Sequence, residues 1–450
     1  MSTPLVSALL HYFLAVMIGV YYWKVLERQP RPLIFMPAMV CSLLHAVYFA
    51  ISAVKYFDPN TYYFMYSYLS EETRLFGSFL SSLIILGMIS IAGRQKKLLS
   101  QSKPQTVHIV LQLLGVLTFT LFSFGLILKY LLLKAGYGST YAVFAGRADF
   151  SLLEVNQYGD RFLLFLSWVN SMVLLAMSAL LCWRPQAERG TFLQRLGGIL
   201  IFLSELSWAA IFWASRMQVV TGILLFLMAY QNRNRKRGAA LLFVLIPAAP
   251  FLAVLFSTQF LRVLGREESW STSLGSIAEI SYRVNLTDFA MGLLSETNGW
   301  PSAPGVLSDA LINALPRVIL SRKDDLMLDS YYEQFRNIGW PAGFDYPDTL
   351  FSSGVMLGGW VGFFLLPLLF VVVLRKLSDW LTRRRDLSGL RAYLTLILAC
   401  SATYIELGAG ELFLWYRHFI MYTAVFLAVY CVLLFVTRKA LGLSSAEVRP

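Results

Sequence analysis

The chain has 450 residues, of which 57% are hydrophobic, 15% aromatic and only 14% charged, against about 25% charged residues in a water-soluble globular protein. That composition excludes a soluble enzyme and predicts an all-α polytopic membrane protein in which residues 1–450 form a single integral membrane domain. The formal charge of +12 does not point to nucleic acid, because the basic residues come as short clusters between apolar runs and not as one patch.

Apolar runs near the ~20 residues needed to cross a bilayer recur along the whole chain. The first, Leu5 to Trp23, has no basic residue before it and no small-residue cleavage site after it, so it is expected to be a span and not a removable signal peptide. Further spans are expected at Leu33 to Val54, Leu75 to Gly93, Val107 to Leu128, Phe162 to Cys182, Leu196 to Ser215, Met217 to Tyr230, Ala239 to Ser257, Phe351 to Leu374, Ala392 to Gly408 and Phe419 to Val436, about eleven transmembrane helices in all. Cys41, Cys182, Cys400 and Cys431 lie inside these runs without CxxC spacing, which supports neither a disulfide frame nor a zinc site and makes them packing residues.

Alternate connections are basic: Lys24/Arg28/Arg31, Arg94/Lys96/Lys97/Lys103, Arg184/Arg189/Arg195, Arg233 to Arg237, Arg375 to Arg391, and the tail Arg438/Lys439/Arg449. Together they hold 23 of the 38 lysines and arginines. Short, Lys- and Arg-rich connections mark the cytoplasmic side, so the N-terminus is expected outside and the C-terminus inside. The opposite side receives the long connections Lys55 to Arg74, Lys129 to Arg161 and residues 258–350. The last is a large extracytoplasmic loop, and its apolar stripe Leu328, Tyr331, Tyr332 and Phe335 has helical spacing, so the loop is expected to be partly helical.

Positive-inside bias should deplete cations from that outer side, yet Arg216, Arg262, Arg266, Arg283, Arg317, Arg322, Lys323, Arg336 and Arg417 fall there. An anionic ligand is one partner for them. Acidic residues of the same side, including Asp324, Asp325, Asp345 and Asp348, are the other. Arg216 stands out because it lies between two apolar runs in "FWASRMQVV". Glu205, near the middle of the sixth span, must face the protein interior, since an unpaired charge there costs a few kcal/mol. It is either a ligand or proton site or a buried structural pair. Eleven residues, about 16 Å of helix, separate it from Arg216, so a direct pair between them is not expected. In "YIELGAGELFLWYRHF", Glu411, Arg417 and His418 form a compact polar group in which an imidazole or carboxylate can take a proton while a guanidinium holds a phosphate oxygen. The alternative is an interfacial belt anchored by Trp415 and Tyr416. His11, His45 and His108 are isolated on apolar runs and read as packed or interfacial. The chain has no GxxxxGK[ST], HExxH, GxSxG or dinucleotide fingerprint, and no credible metal cluster.

With many spans, one large late loop, Ser215-Arg216 at the head of a short span, Pro316-Arg317 followed by Lys323, and Pro347/Thr349 leading into Gly354, Gly358, Gly359 and Gly362, the chain resembles the bacterial O-antigen and exopolysaccharide repeat-unit polymerases, the Wzy-like family. It departs from the commonest form of the motifs at Met217 and at Ser321-Arg322. The resemblance implies a glycosyltransferase of the bacterial inner (cytoplasmic) membrane, working on the outer side without metal, nucleotide or other cofactor. Its substrates would be oligosaccharides carried on undecaprenyl diphosphate. In this reading Arg216, Arg283, Arg317, Arg322, Lys323, Arg336 and Arg417, with Glu205, bind substrate, and Glu411 and His418 are rival catalytic bases. Membrane lipids are partners, nucleic acid is not, and a chain-length regulator protein is left open. Two alternatives carry different chemistry. An O-antigen ligase relies on a histidine in the outer loop, whereas residues 258–350 contain none. A lipid-glycan flippase would carry out no chemistry and would favour paired repeats with midplane sites in broken helices, whereas here no internal repeat is evident and the ionisable residues concentrate on one face, with only Glu205 deep.

Overall fold

The computed structural model describes residues 3–29, 33–56, 69–94, 104–134, 158–183, 192–211, 216–263, 287–301 and 349–382, with isolated positions between 305 and 315 and between 394 and 432. Among the described residues every regular element is helical. These elements are α1 (Thr3–Glu27), α2 (Pro37–Ile51), α3 (Glu71–Gly93), α4 (Pro104–Lys134), α5 (Tyr158–Cys182), α6 (Phe192–Ile211), α7 (Arg216–Arg233), α8 (Arg235–Val263), α9 (Asp288–Glu296) and α10 (Leu350–Thr382), with short 3₁₀ turns flanking α2.

The chain is a helical membrane protein. Leu5–Glu27, Glu71–Gly93, Gly115–Leu132 and Leu350–Leu381 are long and apolar enough to cross a membrane. Their outward faces carry Leu9 and Phe13 on α1, Phe76 and Phe79 on α3, and Leu365 and Leu369 on α10. Such continuous apolar facing suits lipid and not water.

The helices form two groups. In one, α1 packs on α2, α3 and α8, and α10 packs on α2 and α3; in the other, α4, α5, α6 and α7 pack in succession. The α7–α8 hairpin joins them. Its turn is tight: Asn234 N–H donates to the Tyr230 carbonyl at 3.0 Å and Gly238 N–H to the Asn234 carbonyl at 2.7 Å, and a Cβ at Gly238 would strike Gln231. Gln231 in turn accepts from Leu33 N–H at 3.1 Å, tying this turn to the start of α2.

The contacts fix helix directions. His11 of α1 meets Ser78 of α3, and Tyr21 meets Ser90, so α1 and α3 run parallel. Tyr12 donates to the Pro247 carbonyl while Trp23 lies against Phe243, so α8 runs opposite to α1. The starts of α1 and α3, the end of α8 and the start of α7 therefore share one end of the bundle, here called the Arg216 end.

The sequence-based spans need two corrections. The fourth does not stop at Leu128: α4 continues to Lys134, and Lys129 is buried helix and not the start of an outer connection. A charge ends a span only when it has no partner inside, and Lys129 has one. The ninth is not one straight helix from Phe351 to Leu374. Gly358 (φ −147°, ψ 16°) and Gly359 (φ 56°, ψ −137°) are non-helical, and Gly354 and Gly362 touch backbone to backbone. In a straight helix those two glycines would be about 12 Å apart along the axis. The chain thus folds back: an eight-residue arm, Leu350–Leu357, lies along the first turns of the crossing helix that follows from Trp360.

Both parts of this hairpin have local causes. Thr349 caps the arm, its Oγ1 accepting from Phe351 and Ser352 N–H at 3.3 and 3.4 Å while Ser352 Oγ accepts from Thr349 N–H at 2.7 Å. The break is held by α9, which belongs to the 258–350 segment. That helix ends in a Schellman motif: Gly299 N–H donates to Leu294 O at 2.8 Å and Asn298 N–H to Ser295 O at 3.4 Å, with Asn298 at φ 51° and Gly299 at φ 82°. The Gly299 carbonyl then accepts from Trp360 N–H at 3.2 Å. A side chain at Gly359 would run into that carbonyl. On its other side α9 rests Met291 on Gly77 of α3, so residues 288–294 are buried.

Candidate functional site

Glu205 and Lys129 form a buried ion pair. Lys129 Nζ lies 2.5 Å from Glu205 Oε1, with the two side chains 7% and 0% exposed. Ser171 of α5 donates to Glu205 Oε2 at 2.7 Å, and the Lys129 ammonium sits 5.0 Å from the centroid of the Trp208 ring. Beside Ser171, Asn170 donates to the Leu121 carbonyl of α4 at 3.4 Å and accepts from the Tyr422 hydroxyl. Side chains from α4, α5, α6 and the 420–424 helix therefore meet in one buried polar cluster. A carboxylate at this depth is expensive unless neutralised and hydrogen-bonded, and here both conditions hold.

The cluster's position follows from packing. Phe119 lies against Gly197 and Lys129 against Glu205, so α4 and α6 run parallel; Leu181 lies against Gly198 and Ser171 against Glu205, so α5 runs opposite to them. Gly222 of α7 packs on Leu206 and Leu175, which places it level with the pair. Arg216, six residues earlier in α7, stands about 9 Å beyond that level along the axis. Arg417 has helical backbone, is half-buried, and lies five residues before Tyr422 in the sequence. The ion pair is thus a neutral floor a turn and a half beneath the helix end that bears Arg216.

The expected site residues fall into two sets. Glu205 occupies a closed pair, the arrangement of the structural alternative. Arg216 opens α7, but its side chain lies outside the described residues, as do Arg283, Arg317, Arg322, Lys323, Arg336, Glu411 and His418 in full. His11 and His45 are packed, as expected. His11 Nε2 donates to the Phe49 carbonyl at 2.7 Å, leaving Nδ1 to meet Ser78 Oγ at 3.0 Å, and the ring stacks on Phe49. His45 Nδ1 donates to the Cys41 carbonyl at 2.8 Å and its ring lies near Phe351 of the arm. Cys41 and Cys182 are buried packing residues, whereas Cys431 is exposed. Sequence reasoning missed Lys129, Ser171, Asn170 and Tyr422. The available signal was Glu205 itself, which demanded a cation at the same depth.

Compared with protein-family models, with characterised proteins and with solved structures, the chain matches none of them.

Proposed function

We propose that the chain is a polymerase of lipid-linked oligosaccharide repeat units for a surface polysaccharide, O-antigen or exopolysaccharide, in the bacterial inner membrane. In this reading about eleven helices span the membrane, with the N-terminus outside, the C-terminus inside and the Arg216 end facing the periplasmic side. One observation carries the proposal. The segment holding Arg317, Arg322, Lys323 and Arg336 is fixed at both described ends, through Gly299 and the Leu350–Leu357 arm, to the half of the bundle on the Arg216 end. The described ends of that connection, at Gly299 and at Thr349, thus lie toward the same end as Arg216.

The chemistry follows from the charges. The bond between the donor sugar's anomeric carbon and the diphosphate oxygen breaks, and the acceptor hydroxyl oxygen forms the new glycosidic bond. Its proton passes to His418 or Glu411, and undecaprenyl diphosphate leaves. Negative charge grows on the departing diphosphate, and guanidinium forks of Arg216, Arg317 and Arg417 stabilise it.

The test is reconstitution. Purified protein in liposomes with lipid-linked oligosaccharide should yield a ladder of longer glycans without ATP or sugar nucleotide. Arg216→Ala and Arg317→Ala should abolish the ladder while the protein remains in the membrane, and Arg216→Lys should keep part of it. Losing one such donor typically costs ~10²–10³ in rate. Full activity in both alanine variants removes the diphosphate clamp. Movement of the lipid-linked unit across the bilayer at unchanged glycan length identifies a flippase, and transfer only to a lipid A core identifies a ligase.

A further inference from the structure

We propose that the Lys129–Glu205 pair, braced by Ser171 and by the Tyr422–Asn170 bond, is a register lock that sets the axial positions of the helices carrying Arg216 and Arg417. These are positioning residues; they act through the guanidiniums and not on the substrate. As a statement about the reaction this rests on the polymerase reading, but the lock itself does not.

Three observations support it. A buried ion pair is a poor source of stability, since its desolvation cost offsets the attraction and apolar replacements of similar volume often fold equally well; fixing register is its best-attested use. Here the pair joins α4 to α6, two helices otherwise in contact through an apolar pairing, Phe119 with Gly197. Apolar surfaces in a bilayer have no hydrophobic drive to choose one register over another, because lipid is as apolar as leucine. A 2.5 Å charge contact with a second hydrogen bond from α5 does choose. Slipping by one turn, about 5.4 Å, would break all of these contacts. Finally, α6 and α5 both carry α7 through Leu206, Leu175 and Gly222, so their register sets the height of Arg216. The Tyr422–Asn170 bond holds the 420–424 helix, which follows Arg417 by a few residues, to the same register.

The experiment uses full-length protein in nanodiscs, on a background without native cysteines, with nitroxide labels on cysteines replacing Lys134 and Ile211. These two positions end α4 and α6 at the same side of the bundle. Wild type should give one narrow distance. The apolar double variant Lys129→Met/Glu205→Leu should accumulate in the membrane and melt near the wild-type temperature. Its distance distribution should broaden, with a population shifted by roughly one helical turn. In the liposome assay its KM for lipid-linked donor should rise about tenfold while kcat changes far less, because the clamp is displaced in the resting enzyme. The exchanged pair Lys129→Glu/Glu205→Lys should restore the narrow distance and the wild-type KM. A double variant with wild-type distance and KM overturns the lock. If the double variant does not accumulate, the exchanged pair decides: a broadened distance, or a native distance with raised KM, overturns the proposal. If wild type makes no polymer, the polymerase reading falls, and the label distances alone decide the lock.

Discussion

Gly354 and Gly362 lie backbone against backbone although eight residues separate them, and the side chain that either lacks would occupy the other's carbonyl. The contact turns an apolar stretch long enough to be one span into an arm and a crossing helix. Alanine at Gly362 or Gly359 should therefore cost about 1–3 kcal/mol, the usual price of overpacking, and lower the melting temperature in detergent. Alanine at Gly358, where a Cβ meets nothing within 4 Å, should have little effect. Equal tolerance at all three positions would mean that the fold-back is not formed.

The loop helix tests the same junction from the other side. Asn298 holds a left-handed conformation at φ 51°, which asparagine and glycine accept more readily than branched residues do. Asn298→Gly should leave the melting temperature unchanged or raise it slightly. Asn298→Val should lower stability by about 1–2 kcal/mol, with increased proteolysis of the connection before Leu350 as a second readout.

Capping of the arm gives a third expectation. Thr349→Ser keeps the side-chain oxygen that accepts from Phe351 and Ser352 N–H and should be neutral. Thr349→Val keeps the shape but removes the acceptor, and should cost about 0.5–2 kcal/mol, read as faster hydrogen exchange over residues 350–357.

Breaking one side of the ion pair should be far worse than replacing both. Glu205→Leu or Lys129→Met alone strands a buried charge and should cost about 3–5 kcal/mol, seen as reduced membrane accumulation. A single variant as stable as wild type would show that the pair does not form.

Orientation is tested by cysteine labelling in intact cells. Cys41, Cys182, Cys400 and Cys431 are first replaced, Cys431 being exposed. Cysteines at Ser302 and Asp329 should react with a membrane-impermeant thiol reagent, and one at Asn234, in the basic α7–α8 turn, should not. The reverse pattern would invert the topology and place the Arg216 end in the cytoplasm.

Hydrophobic run length and loop charge were enough, from the sequence alone, to establish a helical membrane protein and to locate most of the helices among its described residues. Both are one-dimensional properties: a segment either can or cannot satisfy its backbone in lipid. Glu205 was likewise legible as an interior residue, because its charge forbids any other place. Tertiary structure decided what pairing distance decides. Lys129 reads as the end of a span until Glu205 is seen 2.5 Å away, because a charge's cost depends on a partner 76 residues distant in the chain. Gly358 and Gly359 read as part of a smooth apolar helix until Gly299 is found against Gly359. A glycine pair permits both a straight helix and a sharp turn, and only the neighbouring backbone that needs the space selects between them.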